Sequence, residues 1–247
     1  MNTNKRIKEL ILNNLETILN PNYKNDDANE TIIVYDGIVS KDKFGGILFL
    51  LKEAVENRIK DDHEDKILKV NKTIKSFDLI HTAFEEALAQ SSETYSQNLH
   101  WKELCEWIYA YKNPNDSFSS VKQHGRFLSE IAIVNIKKVA GLSTTKTKIL
   151  NEIIKNEKYN NLLRQEIDLI KPKIVICCGT FEQAKNLYHT QSPMKQLNSG
   201  VEYFKHNNIL FIDFIHPTQY GAAQKPTMKY AFAKEVFGEL SKRENEL

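Results

Sequence analysis

The chain has 247 residues, 41% hydrophobic and 27% charged, with a formal net charge of +2. That length supports a real core, and the near-neutral charge excludes a global basic field, so any nucleic-acid contact must rest on a local patch. Three cysteines, Cys105, Cys177 and Cys178, are too few for a four-cysteine zinc or iron–sulfur site and too sparse for a disulfide framework; a reducing compartment and no cluster are expected.

In chain order, MNTNKRIKEL carries apolar residues at helical spacing, which predicts an amphipathic N-terminal helix rather than a signal peptide, with a loop completing residues 1–30. ETIIVYDG (Glu30–Gly37) reads as an additional edge strand, and GILFLL (Gly46–Leu51) as a strand covered on both faces. The stretch from about 58 to 129 reads as a long helical insert, with amphipathic helices over Phe77–Gln90 and His100–Lys112. IAIVNI (Ile131–Ile136) is a second strand, Lys158–Pro172 a helix ended by its proline, and KIVICC (Lys173–Cys178) a third strand. NILFIDFI (Asn208–Ile215) is a fourth strand, and Tyr230–Leu240 a closing helix. Strands alternating with helices predict a single α/β domain over 1–247: three layers, α/β/α, around a mostly parallel four-stranded sheet. No apolar run approaches the roughly 20 residues of a membrane span, so a cytoplasmic protein without membrane contact is expected.

In open α/β sheets ligands sit beyond the carboxyl ends of the strands. That rule selects Lys52 and Glu53 after the first strand, Asn135 to Lys138 at the second, Gly179 and Thr180 after the third, and His216 after the fourth. Pro217 biases His216 toward extended geometry, so its ring either overlooks a site or packs under the last loop. Asn135 interrupts an apolar strand; its amide either reads a pyrimidine edge, offering donor and acceptor together, or caps a loop. A carboxylate at Glu53 could position water, or could pair with Lys52. Lys137, Lys138, Ser143 and Thr144 lie in an acid-free, hydroxyl-rich stretch suited to phosphate, and Thr218, Gln219 and Tyr220 form a small loop whose aromatic could wedge into a base stack. Trp101, Trp107, Tyr109 and Tyr111 are either stacking groups or core.

Taken together, ILFLLKEA, IAIVNIKK, IDLIKPKIVICCGT and FIHPTQYG resemble, in that order, the motifs of the uracil-DNA glycosylase superfamily, from about Ile47 to Tyr230. The chain departs from the family in its first motif, which lacks the usual Gly and Pro around Glu53 and carries Lys52, and in Thr218, where the family usually has Ser. The resemblance implies a cofactor-free, monofunctional DNA glycosylase that flips a uracil, damaged or modified base out of DNA. It also implies roles: Asn135, with Trp101, binds the base; His216 donates to the leaving base; Glu53 positions water. Lys137, Lys138, Ser143, Thr144, Thr218, Gln219 and Tyr220 hold the DNA. Lys52 is a candidate Schiff-base amine for a lyase step. The alternatives are a catalytically inactive module of the same fold that binds nucleic acid or a modified base, and an N-glycosidic hydrolase acting on free nucleosides. A repair role and a defence role against modified phage DNA would leave the same signature.

Overall fold

The four apolar runs become four adjacent parallel strands. In the computed structural model, which describes residues 2–20, 32–52, 64–69, 72–81, 99–117, 124–140, 146–190, 194–217 and 226–243, these are β3 (Ile47–Leu51), β6 (Ile131–Asn135), β7 (Ile174–Cys178) and β10 (Ile209–Phe214). They lie side by side in the order β6-β3-β7-β10, and each contact among them is parallel. The register is flush at the carboxyl edge, with Leu51 opposite Asn135 and Cys178 opposite Phe214.

Among the described residues the sheet has seven strands rather than the four expected. β2 (Gly37–Ile38) adds antiparallel to β6, and β9 (Glu202–His206) and β8 (Lys195–Gln196) add antiparallel beyond β10. β2 and β8 are two residues long, and β8 is exposed, so neither carries an apolar signature. The helical insert is corrected as well. It contains β4 (Glu64–Lys69) and β5 (Lys72–Asp78), which with β1 (Ile32–Tyr35) form a separate three-stranded sheet in the order β1-β5-β4. The helix expected over Phe77–Gln90 starts later: Phe77 and Asp78 end β5, and residues 79–81 are helical.

Alternation along the parallel strands builds two cores, one on each face. Ile47, Phe49, Ile131, Ile133, Ile174, Ile176, Leu210, Ile212 and Phe214 face a cluster closed by the helices α3 (Leu99–Lys112) and, near the C-terminus, α7 (Pro226–Arg243). Trp107 is its centre, edge-on to Phe214 at 4.8 Å and stacked on Phe237 at 6.4 Å. Leu48, Leu50, Ala132, Val134, Val175, Cys177 and Phe211 face the other cluster, under α1 (Thr3–Asn13), α4 (Thr147–Lys155), α5 (Glu157–Ile170) and α6 (Phe181–Leu187). The short α2 (Leu15–Ile18) adds Leu15 and Ile18. Neighbouring in sequence, Cys177 and Cys178 therefore point to opposite cores, where burial pushes both thiols well above their ordinary range. Trp107, Tyr109 and Tyr111 are core residues, not stacking platforms.

Local chemistry sets the element ends. Asn156 caps α5, its side chain accepting from the Tyr159 N–H at 3.1 Å, and Lys171 ends the helix in a left-handed turn (φ 55°) before Pro172. At the sheet edge, Asn4 of α1 clamps β2: its Nδ2 donates to the Ile38 carbonyl at 2.7 Å and its Oδ1 accepts from the Ile38 N–H at 3.0 Å. Gly37 (φ 144°) is required there, because a Cβ would stand 2.6 Å from Asn4 Oδ1. Asn4→Ala leaves both Ile38 backbone groups without that partner and is expected to cost about 1–3 kcal/mol. Urea unfolding checks this; an unchanged midpoint would show that β2 is held by other contacts.

Candidate functional site

Asn135, His216 and Lys52 of the predicted site residues stand at the carboxyl edge of the parallel sheet. Asn135 is the last residue of β6, and His216 lies two residues past the end of β10, followed by the buried Pro217. The hydrogen bonding continues past the strand ends: Ile136 N–H donates to Leu51 O at 2.9 Å, Lys137 N–H to Lys52 O at 2.9 Å, and Gly179 N–H to Phe214 O at 2.7 Å. Thr180 Oγ1 donates to Leu50 O at 2.8 Å, tying the end of β7 to β3. These bonds hold the edge rigid. Lys52 and His216 are both partly exposed on it. Glu53, Ser143, Thr144, Thr218, Gln219, Tyr220 and the Trp101 side chain lie outside the described residues.

The two lysines expected to hold phosphate are corrected. Lys137 is 1% exposed and Lys138 0%. The Lys138 ammonium lies between two buried carboxylates, 2.5 Å from Asp36 Oδ2 and 2.6 Å from Glu166 Oε2. Its backbone N–H donates to the Tyr159 hydroxyl at 2.8 Å. A buried ammonium must be paired, and this one is paired twice, so it is no partner for a phosphate.

Asp36 organises this cluster, and chain path explains how. β1 and β2 run antiparallel to one continuous stretch, Ile131 to Ala140: β2 pairs with β6, while β1 exchanges Val34 N–H to Lys138 O and Ala140 N–H to Ile32 O, both at 2.9 Å. Asp36 is the joint between them. Its side chain takes over where the backbone ladder breaks, accepting from the Asn135 N–H at 2.7 Å on Oδ2 and from Asn135 Nδ2 at 2.9 Å on Oδ1.

Burial raises the Glu166 pKa, the Lys138 charge opposes the rise and Asp36 adds to it; the result is pushed up to about 7. Burial lowers the Lys138 pKa, but the charges of Asp36 and Glu166 outweigh it and the net direction is up. A carboxyl group whose folded pKa is raised keeps its proton in the native state where the unfolded chain has released it. Its contribution is complete below the ordinary value of 4.5 and is lost as pH rises through about 7. Glu166→Gln is expected to remove on the order of 2–3 kcal/mol of this fall and to be more stable than the parent at pH 8. Denaturant unfolding at acid and alkaline pH tests this, and an equal fall in both proteins would refute it.

Asp36 and Glu166 are absent from the sequence-predicted set, yet both carried a signal. Asp36 is a lone acid inside IIVYDGI, and Glu166 lies in the apolar stripe Tyr159, Leu162, Leu163, Ile167, Ile170 of α5. A cavity of about 340 Å³ opens at the junction of the two sheets, lined by Asn4, Lys8, Tyr35, Asp36, Asp78 and His81 among others. It includes none of the sequence-predicted site residues and is separate from the tips of β7 and β10. No family model matches the chain, and no curated protein matches its sequence. Among the described residues no helix is long and apolar enough to cross a membrane.

Proposed function

We propose that the chain is a DNA glycosylase of the uracil-DNA glycosylase type, hydrolysing the N-glycosidic bond of a base flipped out of DNA. One observation carries this reading: Asn135 and His216 stand at the same edge of the sheet, on the outer two of four in-register parallel strands. Three strand spacings separate β6 from β10, about 14 Å between backbones. A span of that size accommodates one nucleobase ring beyond the tips of β3 and β7. In this reading Asn135 contacts the base edge, and His216 donates to the carbonyl oxygen where negative charge collects as the bond breaks. Glu53 positions the attacking water, and Lys52 lies beside it. The protein acts in the cytoplasm on DNA.

The burial of Lys137 and Lys138 favours one second reading, an N-glycosidic hydrolase of free nucleosides, because it removes two cations from the DNA grip. A single experiment separates them. The protein is incubated with single- and double-stranded DNAs carrying uracil, hypoxanthine, oxidised or hypermodified pyrimidines, and with the matching nucleosides. Base release is read by alkaline cleavage and mass spectrometry. Release from DNA alone supports the glycosylase, release from nucleosides alone supports the second reading, and no release from any substrate rejects both.

A further inference from the structure

We propose that Asp36 is a specificity-determining residue that fixes which end of the Asn135 amide meets the base; this rests on the reading of Asn135 as the base-contacting group. An asparagine amide is nearly symmetric in shape but not in chemistry, since one end accepts and the other donates. A half-turn about its last bond exchanges the two and inverts what it recognises. Its surroundings decide the orientation.

Here the decision is made by a carboxylate. Asp36 Oδ2 holds the Asn135 backbone N–H at 2.7 Å, and Asp36 Oδ1 holds Nδ2 at 2.9 Å, so the two residues are joined at two points. Turning the amide over would set Asn135 Oδ1 against a carboxylate oxygen, two acceptors with no proton between them. The Lys138 ammonium, 2.5 Å from Asp36 Oδ2, keeps that carboxylate in place and is itself held by Glu166. The relay Glu166–Lys138–Asp36–Asn135 is buried at every member.

The consequence appears at the other end of the amide. Asn135 Oδ1 is buried and no hydrogen-bond partner reaches it among the described residues. A stranded buried acceptor is destabilising, and a ligand donor placed there would relieve it. The site is therefore built for a ring that offers an N–H, as in the imide of a uracil-type base, over one that offers a bare ring nitrogen, as in cytosine. Asn135 is 1% exposed, so a base reaching Oδ1 must displace a neighbouring group, and binding should be accompanied by local rearrangement.

The test uses two single-stranded oligonucleotides identical but for one central uracil or cytosine. Base release and Kd are measured for the parent, Asp36→Asn, Asn135→Ala and the double variant. The parent is expected to prefer uracil; Asp36→Asn must keep its oxygen where the Asn135 N–H and the Lys138 ammonium both donate, so its NH2 faces the Asn135 amide, turns it over and is expected to lower that preference tenfold or more. In the Asn135→Ala background the same change should do nothing to the preference. An Asp36→Asn variant that weakens both oligonucleotides equally, or adds its full effect on top of Asn135→Ala, would make Asp36 a structural tie and overturn the proposal. A parent without preference in either measure overturns it too. If neither base is released but the binding preference follows the expected pattern, the glycosylase reading falls and the role of Asp36 stands. Should Asp36→Asn fail to fold, Asp36→Asn with Lys138→Met and Glu166→Met, which removes the ammonium together with both of its buried carboxylate partners, carries the same comparison.

Discussion

Lys138→Met is expected to destabilise the protein by about 3–5 kcal/mol, the cost of breaking a buried ion pair from one side. For a chain of this size that lowers Tm by roughly 6–20 °C. The cation is shared by Asp36 and Glu166, and all three side chains are fully buried. Removing it strands two carboxylates that no water reaches. They are not equally stranded. Asp36 keeps two donors from Asn135, whereas Glu166 accepts no other hydrogen bond among the described residues. Most of the loss therefore belongs to Glu166, and the double change Lys138→Met with Glu166→Met is expected to recover at least half of it. A lysine gripping phosphate from the surface would behave differently: the single change would leave Tm alone and weaken DNA binding uniformly, with a shallower salt dependence. Thermal melts and a salt titration decide between the two.

That contrast shows where the sequence was legible and where it was not. The four parallel strands are apolar enough to be read directly, because each is covered on both faces and needs no partner to reveal it. The short strands β2 and β8 are held by edge pairing and carry no pattern of their own. In β4, EDKILK, and β5, KTIKSFD, charged residues interrupt any period-two signal. The lysines failed for another reason. Read locally, Lys137 and Lys138 sit in a stretch without acids, which looks like a phosphate grip. One of the two acids that pair with Lys138 is 102 residues away in sequence, at Asp36, and the other, Glu166, stands on α5. No local reading balances a charge against a partner brought there by sheet pairing. Strand ends were legible for the opposite reason: the placement of Asn135 and His216 follows from where an apolar run stops.

On the proposed glycosylase reading, His216→Ala is expected to slow base release by about 10²–10³-fold, the usual loss when one donor to a developing oxyanion is removed. The loss should fall on kcat, with KM nearly unchanged, because the leaving base gains its negative charge only as the bond breaks. Stability should hardly move. His216 is only partly buried and lies beyond the last backbone pairing of β10, where Phe214 O accepts from Gly179 N–H, so truncation opens no core cavity. The neighbouring Pro217 is buried and keeps the chain in place. His216→Gln, which retains a donor of similar reach, should restore part of the rate. Single-turnover kinetics on the preferred oligonucleotide, with melts of each variant, separate the possibilities. A drop in rate matched by a drop in Tm would make His216 a packing residue under the last loop. Full activity in His216→Ala would remove the donor from the mechanism, and with it the argument that the outer strands β6 and β10 enclose a scissile bond between them.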